Sequence, residues 1–564
     1  MSKKTKQNSS ISRTEKANPL TVRKVEPGIY LADFGRAAYA QLEIELESSC
    51  GGEEVKLTIA EAYDKLLGQI DLLPSRSCTL MHHTITLLPG RHLYRFYIPP
   101  EKDEKPIKSP VDTEIAPFRY LEIYGYHGKL QSSEIIRTAY FTPCDGTESE
   151  FESSNNMLNQ IWELCKYTMK ATGCFGIFID GNRERVPYEG DAYINQLGHF
   201  CCIGDGEIAA RTIDYFRENG QWPFEYALLI PQLAWDYHMY NDDSAKLAEW
   251  YPMIQDRVLL ALIAPSGLLE APFIKEKFSL EQLMKITGTT RHLASHFREM
   301  VDWPPCERDD YDFRDCTFVS NAYFCNSLKK AALIADVLGK KSDAASYREH
   351  AEKVRNTLRK TTFNSETGLF ADGIGAKHTA IMTAIMAIVF GIAEKAEISK
   401  HADFIVSRGM RCSVYGAQFL LEALYRCGRD NDALRLMATD CGIRSWSNMI
   451  RQGTTITLES WDRYFQPSQD WNHAWGAAPA NIIPRNLFGI VPLEPGFKKF
   501  SLNIQPGNLK HGYLKHPTKY GDIIVSFKTG KKGISVDLEV PRGTECLIGG
   551  TRTTRGKTNF ILPK

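Results

Sequence analysis

Hydrophobic and polar positions alternate with a period of two through residues 27–145. Leu42, Ile44 and Leu46 interleave with Glu43, Glu45 and Glu47, and Val55, Leu57 and Ile59 repeat the alternation. Residues 93–98 and 120–124 read the same way, with Pro89-Gly90 and Pro99-Pro100 as punctuation. Short alternating runs between turn residues predict antiparallel strands with one buried face, here a sandwich over 27–147.

From about residue 148 the period lengthens. Leu158, Ile161, Trp162, Cys165 and Met169 have helical spacing, and Tyr347, Ala351, Val354 and Leu358 step by four, three and four. Ser279-x-x-Gln282 has the form of a capping box. Gly339 stands where a helix starting near Ser327 would stop. The stretch 148–490 has room for about twelve helices, closed into a toroid or stacked as a solenoid. No fixed repeat length is visible, which disfavours a regular solenoid. Alternation returns from 491: Ile534, Val536, Leu538 and Val540 interleave with polar residues after a turn at 529–533. The order is strands, a large helical unit, then strands.

Composition narrows the function. Lys and Arg total 68, as do Asp and Glu, so the formal net charge is zero. No global field draws the chain to nucleic acid or to an anionic membrane. Hydrophobic residues at 43% suffice for a packed core. The longest apolar stretch, residues 380–393, is too short to span a bilayer. The first 26 residues read as a disordered polar tail. No apolar segment follows their basic residues, so a cytoplasmic location is the expectation, with a trimmed leader and the periplasm as the alternative. Fourteen cysteines lack a CxxC pair and suit neither a disulfide framework nor a zinc site.

Two segments carry chemistry. Asp180-Gly181-Asn182-Arg183-Glu184-Arg185-Val186-Pro187-Tyr188-Glu189-Gly190-Asp191 sets four carboxylates and two arginines in a Gly/Pro loop. Far along the chain, residues 453–463 hold Glu459, Trp461 and Asp462, and Asn472-His473-Ala474-Trp475-Gly476 follows. Taken alone, the first could be an ion-pair network at helix ends. The second could be core tryptophans with a satisfied histidine. Together they suit glycoside hydrolysis, which needs one carboxylic acid for the leaving oxygen and a second carboxylate for water or the sugar.

The loop at 180–191 resembles the acidic signature of the α-L-rhamnosidases of glycoside hydrolase family 78. Thr454-Thr455 through Glu459, and Asn472-His473, resemble the family's Thr-Thr-x-x-Glu and Asn-His stretches. The Pro495-Gly496-Phe497 run resembles the passage from its helical barrel into its last sandwich. The resemblance covers roughly residues 27–560. It implies a multidomain α and β protein: a disordered tail at 1–26, an N-terminal β-sandwich at 27–147, a central (α/α)6 six-hairpin barrel at 148–490 and a C-terminal β-sandwich at 491–564.

By the same resemblance, Glu184 is the general acid and Glu459 the general base of an inverting exo-α-L-rhamnosidase. Asp180, Arg183, Asp191 and His473 contact the sugar. Trp235, Trp303 and Trp461 form aromatic walls, and Asp302 is a further polar contact. Such a reaction needs no metal and no organic cofactor. The partner is a rhamnose-containing oligosaccharide or glycoside, with no nucleic acid and no membrane, and no pattern encodes an oligomeric state. The chain departs from the family's pattern in four ways. Asp180 and Glu184 are four apart instead of five, Pro187-Tyr188 replaces Gly-Trp, Glu189 adds a carboxylate that is an alternative acid, and Leu458 stands where the family has Trp before the base. These changes leave open a different sugar specificity, or a carbohydrate-binding relative without turnover.

Overall fold

The computed structural model describes residues 12–100, 105–144, 148–221, 223–288, 299–550 and 552–563. The chain forms two compact units. One comprises Met1–Asp145, Leu164–Val186 and Asn448–Gly476; the other comprises Gly146–Glu163, Pro187–Ser447 and Ala477–Lys564.

The first unit is built on one eight-stranded antiparallel sheet. Its organiser is the long strand Ile29–Ser48, which pairs with Thr21–Glu26 and Ala116–Tyr124 along its first half and with Ile135–Phe141 and Gly90–Arg95 along its second. Leu42, Ile44 and Leu46 face inward, as do Val55, Leu57 and Ile59, while the intervening Glu side chains face out. The polar tail expected over 1–26 is not a tail from Arg13 onward. Arg13–Ala17 pairs with Ile135–Phe141, and Thr21–Glu26 is the second strand. Both edge strands are exposed almost throughout, which gives them polar composition, yet the backbone ladder holds them. Residues 1–11 of that expected tail lie outside the described residues.

The second unit is a closed ring of helices. Glu189–Cys202 touches Ile230–Asn241, which touches Phe318–Val337, then Ile381–Val389, Val414–Arg426 and Pro479–Ile482 in turn, and the last returns to Glu189–Cys202. Other helices back this ring; Lys341–Thr362, for example, lies along Phe318–Val337 with Tyr347, Ala351, Val354 and Leu358 buried. The toroid, not the solenoid, is the arrangement adopted. Ser279 caps its helix as expected: its Oγ accepts the Gln282 N–H at 3.3 Å, and Gln282 Oε1 accepts the Ser279 N–H at 2.8 Å. Gly339, at φ +70°, follows the helix that starts at Phe318.

The ring buries charge among its helices. Arg485 Nη1 donates to Glu422 Oε1 and to Asn481 Oδ1, both at 2.9 Å, and Gln418 Nε2 donates to Glu422 at 2.9 Å. Burial alone would raise the Glu422 carboxyl, but Arg485 and Arg426 outweigh it and hold it below its ordinary value. Strands complete this unit: a five-stranded antiparallel sheet led by Glu150–Ser153, and a four-stranded sheet containing Lys499–Leu502 and Glu545–Ile548. Ile534, Val536 and Leu538 are buried, as their alternation predicts. Among the described residues no helix is long and apolar enough to cross a membrane. No disulfide joins any of the fourteen cysteines.

Candidate active site

The acidic loop at 180–186 is closed on itself. The Asp180 N–H donates to the Val186 carbonyl at 3.0 Å, and the Val186 N–H donates to Asp180 Oδ1 at 2.9 Å. Arg185 adopts φ +51°, a left-handed conformation that costs a non-glycine residue about 1–3 kcal/mol. Its buried side chain holds the turn in place: Nη2 donates to Asn182 Oδ1 at 2.9 Å and to the Ile115 carbonyl at 3.0 Å, and pairs with Glu114 at 2.8 Å. Asp180 and Arg185 thus set the direction of the two residues between them that reach outward, Arg183 and Glu184.

Arg183 joins the two segments. Its Nη1 and Nη2 donate to Glu459 Oε2 and Oε1 at 2.9 and 3.2 Å, a bidentate pair, and its Nε donates to Glu184 Oε1 at 3.3 Å. Nη1 also donates to the Ser468 carbonyl at 2.7 Å. Glu459 is 2% exposed, whereas the Glu184 side chain is 41% exposed. Burial would raise the Glu459 carboxyl, but the charges of His473 and Arg183 outweigh burial and hold it below its ordinary value. Glu459 is therefore ionised at neutral pH. Backbone pairing fixes it further: its N–H donates to the Asp470 carbonyl at 3.1 Å, and its Oε2 accepts the Asp470 N–H at 2.9 Å.

His473 is buried, with its ring 4.5 Å from that of Trp475, whose Nε1 donates to the Glu459 carbonyl at 2.8 Å. One unit thus brings Asp180, Arg183, Glu184, Glu459 and His473 together. Trp461 is in the same unit and fully buried. Glu459, Asp470 and His473 bring one donor atom each within 4.8 Å, a set that could hold a cation. The Arg183 guanidinium already supplies the positive charge on both Glu459 oxygens.

The remaining expected residues belong to the helical unit. Asp191 is buried in the first turn of Glu189–Cys202, two residues after Glu189. Glu189 is fully buried; its Oε1 accepts the Gln221 N–H at 3.1 Å, and burial pushes its carboxyl up to about 7. Trp235 and Trp303 are each partly exposed. Asp302 is fully buried. Its Oδ2 accepts the Ser413 N–H at 2.8 Å, its Oδ1 accepts the Ser413 hydroxyl, and burial pushes it up to about 7.

Sequence reasoning missed two buried carboxyls of the unit that holds Glu459. Asp470 sits three residues before His473, in the gap between the two stretches singled out in the sequence, so its type was visible but its burial was not. Glu61 follows the strand Glu54–Ala60 with no motif around it. Its Oε1 accepts Asn472 Nδ2 at 3.0 Å, and burial pushes it up to about 7.

A closed ring of helices backed by further helices, with paired carboxylates on loops, is the architecture of a six-hairpin glycosidase. Residues 147–487 match the model of the bacterial alpha-L-rhamnosidase 6 hairpin glycosidase domain, and 489–558 match the bacterial alpha-L-rhamnosidase C-terminal domain. The chain belongs to the bacterial α-L-rhamnosidase family. Two alpha-L-rhamnosidases of Formosa agariphila are 25% and 23% identical to it, each over 76% of this chain and 47% and 46% of their own length. The chain thus spans about half the length of these curated relatives. Among solved structures, the alpha-L-rhamnosidase of Dictyoglumus thermophilum shares the fold with a TM-score of 0.76 at 18% identity, over 95% of this chain and 58% of that one. The Streptomyces avermitilis alpha-L-rhamnosidase complexed with L-rhamnose gives 0.76 at 17% identity, over 98% and 53%.

Proposed function

We propose that this chain hydrolyses terminal α-L-rhamnosides with inversion, Glu184 as general acid and Glu459 as general base. The observation that carries the reading is the Arg183 guanidinium, which holds Glu184 on its Nε edge and Glu459 on its Nη edge. Two carboxylates 275 residues apart in sequence are thereby gathered at one cation. A guanidinium between them keeps them out of direct contact, in keeping with the about 6.5–9.5 Å that inversion requires rather than the about 5–5.5 Å of retention.

The two environments differ in the direction the roles need. Glu459 is buried and held as the anion, the form that takes a proton from water. Glu184 reaches solvent, where a leaving group can meet it. The membership of the bacterial α-L-rhamnosidase family supports the sugar, and the L-rhamnose complex of the Streptomyces avermitilis relative supports its size and class. Asp180, on the acid's own loop, orients a sugar hydroxyl in this reading. Water and two carboxylates supply the chemistry.

The test is hydrolysis of an aryl α-L-rhamnoside by the purified chain and by Glu184→Gln and Glu459→Gln, with NMR of the freshly released anomer. Release of the inverted sugar, lost in both variants, is the expected result. A retained anomer overturns the mechanism. An active Glu184→Gln overturns the acid, and an inactive wild type with turnover of another α-glycoside overturns the sugar.

A further inference from the structure

The acid–base reading leaves one buried group of the same unit unused. Asp470 is fully buried, and neither of its carboxyl oxygens receives a hydrogen bond among the described residues. His473 Nδ1 stands 3.8 Å from Oδ2, too far for a hydrogen bond. Arg183 directs both Nη groups to Glu459, with Nη1 also on the Ser468 carbonyl. Gly181 presses against the carboxyl from the acidic loop; a Cβ there would stand 2.4 Å from Oδ2. The other ionisable groups that act on it are Glu459, Glu61, Tyr39 and Cys78.

A buried carboxylate without donors is expensive, and two carboxyls within 4.8 Å of one another do not both ionise freely. The donors decide which one carries the charge. Glu459 has a bidentate guanidinium and a backbone N–H; Asp470 has neither.

We propose that Asp470 is a positioning residue: a buried carboxylic acid that shares one negative charge with Glu459, Arg183 fixing that charge on Glu459. Burial pushes the Asp470 carboxyl up, against the side-chain approach of His473 and the charge of Arg183, and the charge on Glu459 adds to the rise, in the direction this division requires. Gly181 has a reason to lack a side chain, since the space beside it is where the neutral acid is stored. The consequence for turnover rests on Glu459 being the base; the division of charge does not.

The test is infrared difference spectroscopy of the whole chain at neutral pH, in the region of the protonated-carboxyl C=O stretch. Wild type minus Asp470→Asn is expected to show the loss of one protonated-carboxyl band and no loss of a carboxylate band. Glu459→Gln removes the competitor, so Asp470 takes over the guanidinium and ionises. That variant is therefore also expected to lose a protonated-carboxyl band, although Glu459 itself was charged. Should Asp470→Asn fail to fold, Glu459→Gln produced with 13C-labelled aspartate carboxyls identifies the lost band as an Asp band by its isotope shift. Loss of a carboxylate band in Asp470→Asn, or an unchanged Asp band in Glu459→Gln, overturns the proposal. None of these readings uses a sugar, so an inactive chain would refute the proposed function and leave this result standing.

Discussion

Arg183→Met deletes the charge that joins the two carboxylates while keeping most of the side-chain bulk. Glu459 then remains buried, 2% exposed, without its bidentate partner. Removing one member of a buried pair costs about 3–5 kcal/mol when the other stays charged. The Arg183 side chain is 28% exposed, so solvent screens part of its field and the lower end, about 3 kcal/mol, is expected. The cost depends on pH with a definite sign. Glu459 is held below its ordinary value in the folded protein, so the pair contributes stability above the unfolded pKa of about 4.3 and loses it as pH falls through the folded value. Without Arg183, burial dominates, and Glu459 takes a proton as the medium turns acidic. The destabilisation is then about 3 kcal/mol at pH 8 and about 1 kcal/mol at pH 4.5. For a unit of about 200 residues this lowers the melting temperature by roughly 6–12 °C at pH 8 and roughly 2–4 °C at pH 4.5. Calorimetric melts of wild type and variant at the two pH values measure it. Equal shifts at both, or a larger one at pH 4.5, refute the pairing of Arg183 with an ionised Glu459. Arg183→Lys restores the charge without the fork and recovers only part of the loss.

Gly181→Ala places a methyl 2.4 Å from Asp470 Oδ2 and 2.9 Å from its Cγ, so the loop or the aspartate must shift, at about 1–3 kcal/mol; a thermal melt should show the loss, and rhamnoside turnover should fall at least tenfold. Glu189→Gln removes a carboxyl that binds a proton in the folded state up to about pH 7 but in the unfolded state only to about 4.3. Wild-type stability falls as pH rises through that window. The variant should therefore gain up to about 3 kcal/mol relative to wild type between pH 5 and pH 8, and a gain that does not change with pH would contradict the burial of a neutral acid there. Ser413→Ala takes from the helix Val414–Arg426 the Oγ that accepts the Gly416 N–H at 3.0 Å, and from Asp302 a hydroxyl donor. Denaturant melts should register a loss of about 2–3 kcal/mol, the sum of a lost cap and a partly unsatisfied buried carboxyl.

The sequence is most legible where the physics is local. The period of two at Leu42–Leu46 and Val55–Ile59, the stripe Tyr347–Leu358 and the Ser279 capping box each depend on neighbours a few residues away, and each has its expected form. Polar composition misled at Arg13–Glu26, because an edge strand is held by backbone hydrogen bonds that leave no mark on side-chain pattern. Residue type was readable at Trp461 and Asp302, but depth was not. A tryptophan near a candidate base and an aspartate before a tryptophan fit a sugar site on paper, and both turn out to be fully buried. Asp470 shows the converse. It lay in plain view three residues from His473, and only the packing of Gly181 and Glu459 around it gives it a possible part in the chemistry.

The chain returns twice to complete its first unit. Leu164–Val186 brings the candidate acid and Asn448–Gly476 the candidate base, while residues 187–447 between them form the other unit. Neither segment could specify a hydrolytic site alone, since each contributes one carboxylate of the pair. What each specifies locally is the direction of its carboxylate: Asp180 and Arg185 pin the turn that carries Glu184, and the exchange of bonds with Asp470 pins Glu459. The last step, the contact across 275 residues, is made by one side chain that belongs to the acid's loop and binds the base.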